Sequence, residues 1–222
     1  MFLNAASCSL PMVYWPPDFN QIDTSFPMVS CIMPTANRQH FIPKAIKYFL
    51  EQDYPYKELI IIDDGEESIA RMLPNLYCIR YFYLEKKLLI STKRNIACEK
   101  AAGSIIIHWD DDDWYANNWI SYQVNSILQY EVDLCGLSQV QFFSVKHNKF
   151  YISKYQTIKK NWLIGATLAY RKSYWDKHHF PEIEIGEDNL FVRNKNAKIF
   201  AHDYFEGFLA IVHSSNARLK DV

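Results

Sequence analysis

The sequence GSIIIHWDDDD, residues 103–113, places four consecutive aspartates directly after a short apolar run. Residues 104–108 predict a buried strand, because a short apolar run bounded by turn residues suits a strand with both faces covered. Four adjacent carboxylates repel one another unless something screens them. A divalent cation would do so, since hard cations prefer carboxylate oxygens. The alternative is a solvated acidic loop or the acidic start of a helix.

Upstream of this stretch, strands and helices are predicted to alternate. Strands are predicted at 28–33, 58–62 and 78–83, and helices at 42–50, 67–73 and 91–102. Such alternation predicts an α/β domain with a mostly parallel, Rossmann-like sheet flanked by helices. Ligands bind beyond the carboxyl ends of the strands in sheets of this kind. Three polar turns occupy those ends: Pro34–Asn37, Asp63–Gly65 and Asp110–Asp113.

The second half of the chain has a different pattern. We predict a helix at 118–130, a hairpin within 137–156 that turns near 147–149, a strand at 163–170, a short helix at 187–194 and a last strand at 208–212. The organisation expected is a tail or strap at 1–26, a nucleotide-binding half at 27–116, and a smaller mixed-sheet half at 117–222 that belongs to the same domain. The second half would bind the acceptor and carry the catalytic base.

Composition excludes several classes of function. The 24 basic and 25 acidic residues leave a net charge of −1, so no basic excess is available to hold a nucleic acid. No apolar run is long enough to span a membrane, and residues 1–21 lack the charged start of a secretory signal. Five cysteines without a CxxC pair predict reduced thiols, mostly in the core, of a soluble cytoplasmic protein that could still associate peripherally with a membrane.

Four further short stretches of the sequence contain residues that could bind a ligand or take part in catalysis. Asp63 and Asp64 could bind a nucleobase or ribose, although Asp-Gly is also an ordinary turn. Lys93 and Arg94 could face a diphosphate or form a solvated helix surface. Glu187-Asp188 could supply a general base or cap a short helix. His213 could bind a metal or phosphate, or serve the structure alone.

The ordered set of motifs resembles the family-2 glycosyltransferases, which have the type A nucleotide-sugar fold. The resemblance covers residues 27 to about 216. It is carried by Val29–Thr35 (VSCIMPT), Glu58–Gly65 (ELIIIDDG), Lys93–Asn95 (KRN), Gly103–Asp113 (GSIIIHWDDDD) and Gly186–Asp188 (GED). Glu66 differs from the family, which usually has Ser at the nucleobase turn.

The resemblance implies a role for each matching residue. Thr35 and Asp64 would hold the nucleobase with Asp63 beside them, and Arg94 would lie near the ribose or diphosphate. The aspartate run matches the family's Asp-x-Asp motif, in which Asp110 or Asp111 would face the ribose. The implied ligands of Mn²⁺ or Mg²⁺ are Asp112, Asp110 and His213, in a register that stays open by one residue. Asp188 would be the catalytic base, with Glu187 as its neighbour.

The function implied is an inverting, metal-dependent transfer of a hexose or N-acetylhexosamine. The donor would be a nucleoside diphosphate sugar, with UDP-sugar first, and the acceptor a hydroxyl of a glycan or glycoconjugate. Two alternatives stay open: a nucleotide-sugar-binding module without turnover, and a hydrolase of nucleotide sugars that uses water as the acceptor.

Overall fold

Helices and strands alternate along the first half of the chain as the hydrophobic pattern predicts, except that no α-helix lies between the second and third strands. The structure, a computed structural model, describes residues 26–152, 162–193, 196–214 and 216. The predicted tail therefore lies outside the described residues except for Phe26. The elements of the first half are β1 (Val29–Thr35), α1 (Ile42–Leu50), β2 (Lys57–Asp63), β3 (Ile79–Tyr83), α2 (Ile90–Lys100) and β4 (Ile105–His108).

The second half contains shorter elements. They are β5 (Trp114–Tyr115), α3 (Trp119–Gln129), β6 (Leu134–Leu137), β7 (Gln141–Ser144), β8 (Lys149–Ile152), β9 (Ala169–Arg171), α4 (Lys172–Trp175), α5 (Glu187–Val192), β10 (Ile199–His202) and β11 (Phe208–Val212). The predicted hairpin is β7 and β8, although residues 153–156 of its expected range lie outside the described residues. Residue 194 of the predicted short helix lies outside them too.

Seven strands form the main sheet, in the order β10-β6-β9-β4-β1-β2-β3. The four strands of the first half pair in parallel. In the other half of the sheet, β9 lies between β4 and β6 and runs antiparallel to both. Since the two halves of the chain contribute strands to one sheet, they share one core.

Side chains of β1 alternate between two apolar layers. Cys31 and Met33 pack with α1 and α3 on one face, and Ile32 packs with α2 on the other. Because helices cover both faces, β1 and β2 are buried along nearly their whole length. Cys31, Cys98 and Cys135 are buried and reduced, and Cys78 is reduced and half-buried. Cys8 lies outside the described residues.

The strand predicted at 163–170 is mostly wrong. Residues Gly165–Thr167 form a single 3-10 turn, and within the predicted range only Ala169 and Tyr170 belong to a strand, β9. The Thr167 hydroxyl donates to the Ile164 carbonyl at 2.8 Å and accepts the Leu137 N–H at 3.0 Å. These two bonds close the turn with a side chain, which the apolar pattern of the segment does not reveal.

The helix predicted at 67–73 is also wrong in its extent, because only Ala70–Met72 is helical, as one 3-10 turn. None of these three residues is buried, and within the predicted range only Ile69 is buried, so little apolar contact is available to stabilise a longer helix. The segment is attached to the sheet instead by Ile69, whose N–H donates to the Tyr81 hydroxyl at 3.1 Å.

A second sheet of four strands, in the order β5-β11-β7-β8, lies beside the end of β4. β11 is parallel to β7 and antiparallel to β5. This sheet begins directly after the aspartate run and ends directly before His213. Among the described residues, no helix has the length and apolar character needed to cross a bilayer.

Acid is expected to destabilise the fold through His202. Its side chain is 3% exposed, and burial lowers its pKa from 6.5 to about 4, against a smaller opposing effect of Asp203. The unfolded chain therefore binds the proton first, so this contribution is complete above pH 6.5 and is lost as the pH falls toward 4. Between roughly pH 7 and pH 5 we expect His202 to cost about 2 kcal/mol of unfolding free energy.

Urea unfolding of the wild type and of His202→Gln at both pH values measures this contribution. The variant should lose about 2 kcal/mol less than the wild type over the same interval. His147→Gln, in an exposed turn, is the matched control and should keep the wild-type dependence. An equal loss in His202→Gln would contradict the prediction.

Candidate functional site

The three polar turns predicted at strand ends meet at one edge of the main sheet. Thr35 and Asp63 end neighbouring parallel strands and are paired in register. β4 lies on the other side of β1, with His108 opposite Ile32. The Thr35 hydroxyl donates to Asp111 Oδ2 at 2.6 Å, so the turn after β1 contacts the aspartate run directly. The parallel topology thus assembles the site from segments distant in sequence.

The four aspartates have different surroundings. Asp111 is buried, and burial raises its pKa to about 6, while Arg38 lowers it and Asp112 raises it further. Asp113 Oδ1 accepts the Ile211 N–H at 2.9 Å, which fixes this carboxylate against β11. The Asp110 N–H donates to the Tyr115 hydroxyl at 2.7 Å. The run is therefore an ordered turn with a distinct environment for each carboxylate.

Three nitrogen atoms converge on one carboxylate oxygen of Asp112. Its Oδ2 lies 2.9 Å from Arg38 Nη1, 3.0 Å from His213 Nε2 and 3.0 Å from Asn216 Nδ2. β11 positions the last two residues, because both follow its end at Val212. His213 was predicted from the sequence, and the structure brings it to this carboxylate. Asn216 was not predicted, because nothing in its local sequence indicates a contact with a residue 104 positions away.

Arg38 is a second residue that the sequence analysis missed. Its Nη1 atom bridges Asp111 Oδ1, at 2.6 Å, and Asp112 Oδ2. Burial lowers the pKa of Arg38, but Asp111 and Asp112 together raise it above its ordinary value. The guanidinium thus neutralises the acidic turn. Its place just after the Pro34–Asn37 turn is the only sequence feature that relates it to the site.

Asp112 and His213 have the chemistry and spacing of two ligands of one divalent cation. Two atoms that each lie about 2.1 Å from an ion at right angles are about 3 Å apart, and Asp112 Oδ2 and His213 Nε2 are separated by 3.0 Å. Among the described residues, no group of three His, Cys, Asp or Glu side chains is arranged around a common point. The residues therefore fit a cation whose other ligands come from a diphosphate and water, as is usual for Mg²⁺.

The turn after β2 holds both of its aspartates firmly. Asp63 accepts the Gly65 N–H at 2.9 Å and the Tyr81 hydroxyl at 2.7 Å. Asp64 Oδ1 pairs with Lys93 Nζ at 2.6 Å, and its Oδ2 accepts the Leu88 N–H at 2.8 Å. Because both carboxylates already have protein donors, the turn is ordered before any ligand binds.

Lys93 and Arg94 occupy separate parts of the site. Lys93 Nζ donates to the Thr35 carbonyl at 3.0 Å as well as pairing with Asp64, so it joins the ends of β1 and β2. Arg94 instead pairs with Glu187 at 2.6 Å, and both side chains are almost fully buried. The structure thus places the predicted diphosphate cation, Arg94, in a buried ion pair at the start of α5.

Asp188 lies at the carboxyl end of β4, against Gly165. A Cβ added at Gly165 would overlap the Asp188 carboxylate, so only glycine allows this approach. His108, the last residue of β4, donates from Nδ1 to the Gly165 carbonyl at 2.6 Å. Asp188 Oδ1 accepts the Asn189 N–H at 2.8 Å. Its side chain is half-buried rather than enclosed.

Comparison with known proteins identifies a family and relatives that this chain resembles. The family model described as "Glycosyl transferase family 2" matches residues 30–185. A Haemophilus influenzae protein named "Uncharacterized glycosyltransferase" is 34% identical over 110 residues, which are 47% of this chain and 44% of that protein.

Two solved structures have the same fold. S. aureus TarS 1-349 in complex with UDP-GlcNAc gives a TM-score of 0.66 at 19% identity, over 85% of this chain and 60% of that one. Mannosyltransferase PcManGT from Pyrobaculum calidifontis, in complex with GDP-Man and Mn²⁺, gives 0.64 at 15% identity, over 88% and 59%. These similarities confirm the predicted type A fold. The chain spans about half the length of the curated relative and three fifths of these two structures.

Proposed function

Because the chain belongs to glycosyl transferase family 2, we propose that it transfers a hexose or N-acetylhexosamine from a nucleoside diphosphate sugar to a hydroxyl of a glycan or glycoconjugate. The observation that carries the proposal is the meeting of three groups at one sheet edge. They are the Asp63–Gly65 turn after β2, the Asp112–His213 pair and the Asp188 carboxylate. We further propose that the donor is a UDP-sugar and that the reaction inverts the anomeric centre.

The nucleoside would bind over the ends of β1 and β2. Thr35 and Asp64 would contact the nucleobase, since Thr35 ends β1 and Asp64 follows β2, and both strands open onto the cleft. Lys93 holds these two residues in place, because it neutralises Asp64 and bonds to the Thr35 carbonyl at the same time. Asp63 orders the turn after β2 by accepting a hydrogen bond from the Gly65 N–H. Asp110 or Asp111 would face the ribose.

The diphosphate would lie over Asp112, His213 and Arg38. Asp112 and His213 would hold the divalent cation, which supplies Lewis-acid stabilisation of the departing nucleoside diphosphate. Arg38 bridges two carboxylates of the run, so it would give up at least the Asp112 contact when that oxygen binds the cation. Its guanidinium then lies beside the diphosphate, where it can neutralise a second anionic oxygen.

Asp188 would act as the general base. The Asn189 N–H fixes one carboxylate oxygen, and the second can accept the proton of the acceptor hydroxyl. As that proton leaves, the hydroxyl oxygen forms the new bond to the anomeric carbon from the face opposite the diphosphate. The bond from that carbon to the diphosphate oxygen breaks, and the nucleoside diphosphate leaves with the electron pair. Attack from the opposite face inverts the anomeric centre.

Thermal unfolding with nucleotides tests the donor site. We expect UDP with Mn²⁺ to stabilise the fold by about 2.7 kcal/mol when UDP is present at 100 times its dissociation constant. UDP without metal should give a much smaller shift, because the diphosphate charge would then meet the aspartates unscreened. GDP with Mn²⁺ is the matched nucleotide control. A larger stabilisation by GDP would make GDP the proposed nucleotide in place of UDP. No stabilisation by either nucleotide would overturn the proposed donor site.

Product analysis separates transfer from the alternatives. Free sugar as the only product, with water as the acceptor, would indicate a nucleotide-sugar hydrolase. Nucleotide binding without release of nucleoside diphosphate, across a panel of glycan acceptors, would indicate a binding module. The proposal requires a glycoside product with inverted configuration, which NMR of the anomeric proton reports directly.

A further inference from the structure

The second sheet has one face that carries almost only apolar side chains and is turned away from the core. Its inner face is buried and includes Tyr115, Phe142 and Phe208. Alternation along each strand places the neighbouring residues on the opposite side. We call this side the outer face and define it by its six apolar residues, Trp114, Phe143, Phe150, Ile152, Leu209 and Ile211, with the polar Gln141 between Leu209 and Ile152.

Register places these six side chains on one continuous surface. Trp114 is opposite Leu209, Ile211 is opposite Phe143, and Phe143 is opposite Phe150. The Phe143 and Phe150 rings are in contact, with centroids 4.9 Å apart. Phe150 is 68% exposed and Ile152 is 61% exposed. The other four side chains, Trp114, Phe143, Leu209 and Ile211, are half-buried. A contiguous apolar surface that is partly exposed marks an interaction site more often than a scattered single residue does.

The tip of the β7–β8 hairpin adds positive charge to this surface. Lys146 and Lys149 lie in and beside the turn and are exposed, next to Val145, which is 55% exposed. The sequence between Leu134 and Trp175 contains no Asp or Glu and has seven Lys or Arg residues: Lys146, Lys149, Lys154, Lys159, Lys160, Arg171 and Lys172. The whole chain has a net charge of −1, so this segment is more basic than the rest. Arg171 and Lys172 belong to β9 and α4 rather than to the outer face, and alternation turns Lys149 to the side of β8 opposite Phe150.

The outer face is continuous with the candidate active site. Trp114 directly follows Asp113, and the Ile211 N–H bonds to the Asp113 carboxylate at 2.9 Å. β11 then leads directly to His213, which contacts Asp112. A partner that covers the outer face would therefore be held next to the groups proposed to bind the diphosphate and the cation.

We propose that the outer face and the hairpin tip dock on the surface of an anionic lipid bilayer. Aromatic and aliphatic side chains enter the boundary between headgroups and acyl chains, while lysines beside them pair with anionic headgroups. This rests on the proposed function where it concerns the acceptor: docking here would present the site to a glycoconjugate anchored in that membrane.

Charge favours a bilayer over a second copy of this chain. A second copy would present the same surface, and the outer face as defined offers no acidic side chain to pair with Lys146 and Lys149. An anionic bilayer instead attracts both lysines, at roughly a fivefold gain in partition for each. The attraction depends on ionic strength, because added salt screens it.

Vesicle flotation tests the proposal with the full chain. The probe is a vesicle of phosphatidylglycerol mixed with phosphatidylcholine, compared with phosphatidylcholine alone. The wild type should float with the mixed vesicles and much less with the neutral ones. The double variant Phe150→Ser with Ile152→Ser, and separately Lys146→Glu with Lys149→Glu, should each reduce partition at least tenfold.

Leu50→Ser with Leu128→Ser is the matched control, because these two side chains are 43% and 41% exposed on other surfaces. It should float as the wild type does. All variants should keep the stabilisation by UDP with Mn²⁺, so a lost donor site and a lost docking surface give different results. A wild type that binds no vesicle, or Phe150→Ser with Ile152→Ser that binds normally, would overturn the proposal. So would a dimer that the same double variant dissociates, since the face would then join two copies.

Discussion

Replacement of Asp188 by Asn is expected to lower the turnover of sugar transfer by about 10²–10⁴-fold, because an amide cannot take the proton of the acceptor hydroxyl. The change preserves shape, and the Asn carbonyl oxygen can still accept the Asn189 N–H. The contact with Gly165 is also kept. We therefore expect the unfolding temperature and the stabilisation by UDP with Mn²⁺ to stay at wild-type values. Initial rates with a glycan acceptor, measured beside thermal unfolding, check this prediction.

Glu187→Gln is the control that separates catalysis from folding. Glu187 lies beside Asp188 in sequence, but its carboxylate forms the buried ion pair with Arg94. Removing that charge leaves Arg94 buried without its ionic partner, which costs about 3 kcal/mol of unfolding free energy. The two variants should therefore differ: one loses turnover at full stability, and the other loses stability first. Full transfer activity in Asp188→Asn would show that the base is assigned to the wrong residue.

The hydrophobic pattern predicted the strands of the first half well. It failed in the second half, where tertiary contacts decide which short segments become strands. β1, β2 and β4 are continuous apolar runs with helices on both faces, so their sequence alone is informative. β6 (LCGL) and β10 (IFAH) were not predicted. Each has four residues, too few for a period to be recognised, and each is a strand because it pairs with the other in the sheet.

The candidate site was predicted in its acidic residues and missed in two of the residues that contact them. Carboxylates directly after buried strands are visible in the sequence, since topology alone brings strand ends together. Arg38 and Asn216 lie in loops with ordinary local sequence, and they reach the aspartate run only through the folded chain. The pairing of Lys93 with Asp64, and of Arg94 with Glu187, is likewise a product of packing. Sequence could place both cations near the cleft and could not say which faces which carboxylate.

Replacement of Asp112 by Asn is expected to remove the dependence of UDP binding on metal. Asp112 Oδ2 is the oxygen that lies 3.0 Å from His213 Nε2, so it is the atom best placed to share a cation with that ring. Loss of the carboxylate should weaken Mn²⁺ binding by at least about 100-fold, the upper range for residues that only support a metal ligand. Titration of Mn²⁺ followed by electron paramagnetic resonance measures this without any turnover.

Asp113→Asn resolves the one-residue ambiguity in the Asp-x-Asp register, because a stronger loss of Mn²⁺ binding at Asp113 than at Asp112 would move the motif to Asp111 and Asp113 and contradict the assignment.

Arg38→Met tests the Asp112 Oδ2 oxygen from the opposite direction. Arg38 Nη1 lies 2.9 Å from Asp112 Oδ2, and a guanidinium and a divalent cation compete for that atom. Without nucleotide, Arg38→Met should therefore bind Mn²⁺ more tightly than the wild type. UDP should stabilise the fold of this variant less than it stabilises the wild type, because the guanidinium beside the diphosphate is missing. Opposite changes in the two titrations would identify Arg38 as the group that neutralises the site until donor and metal arrive together.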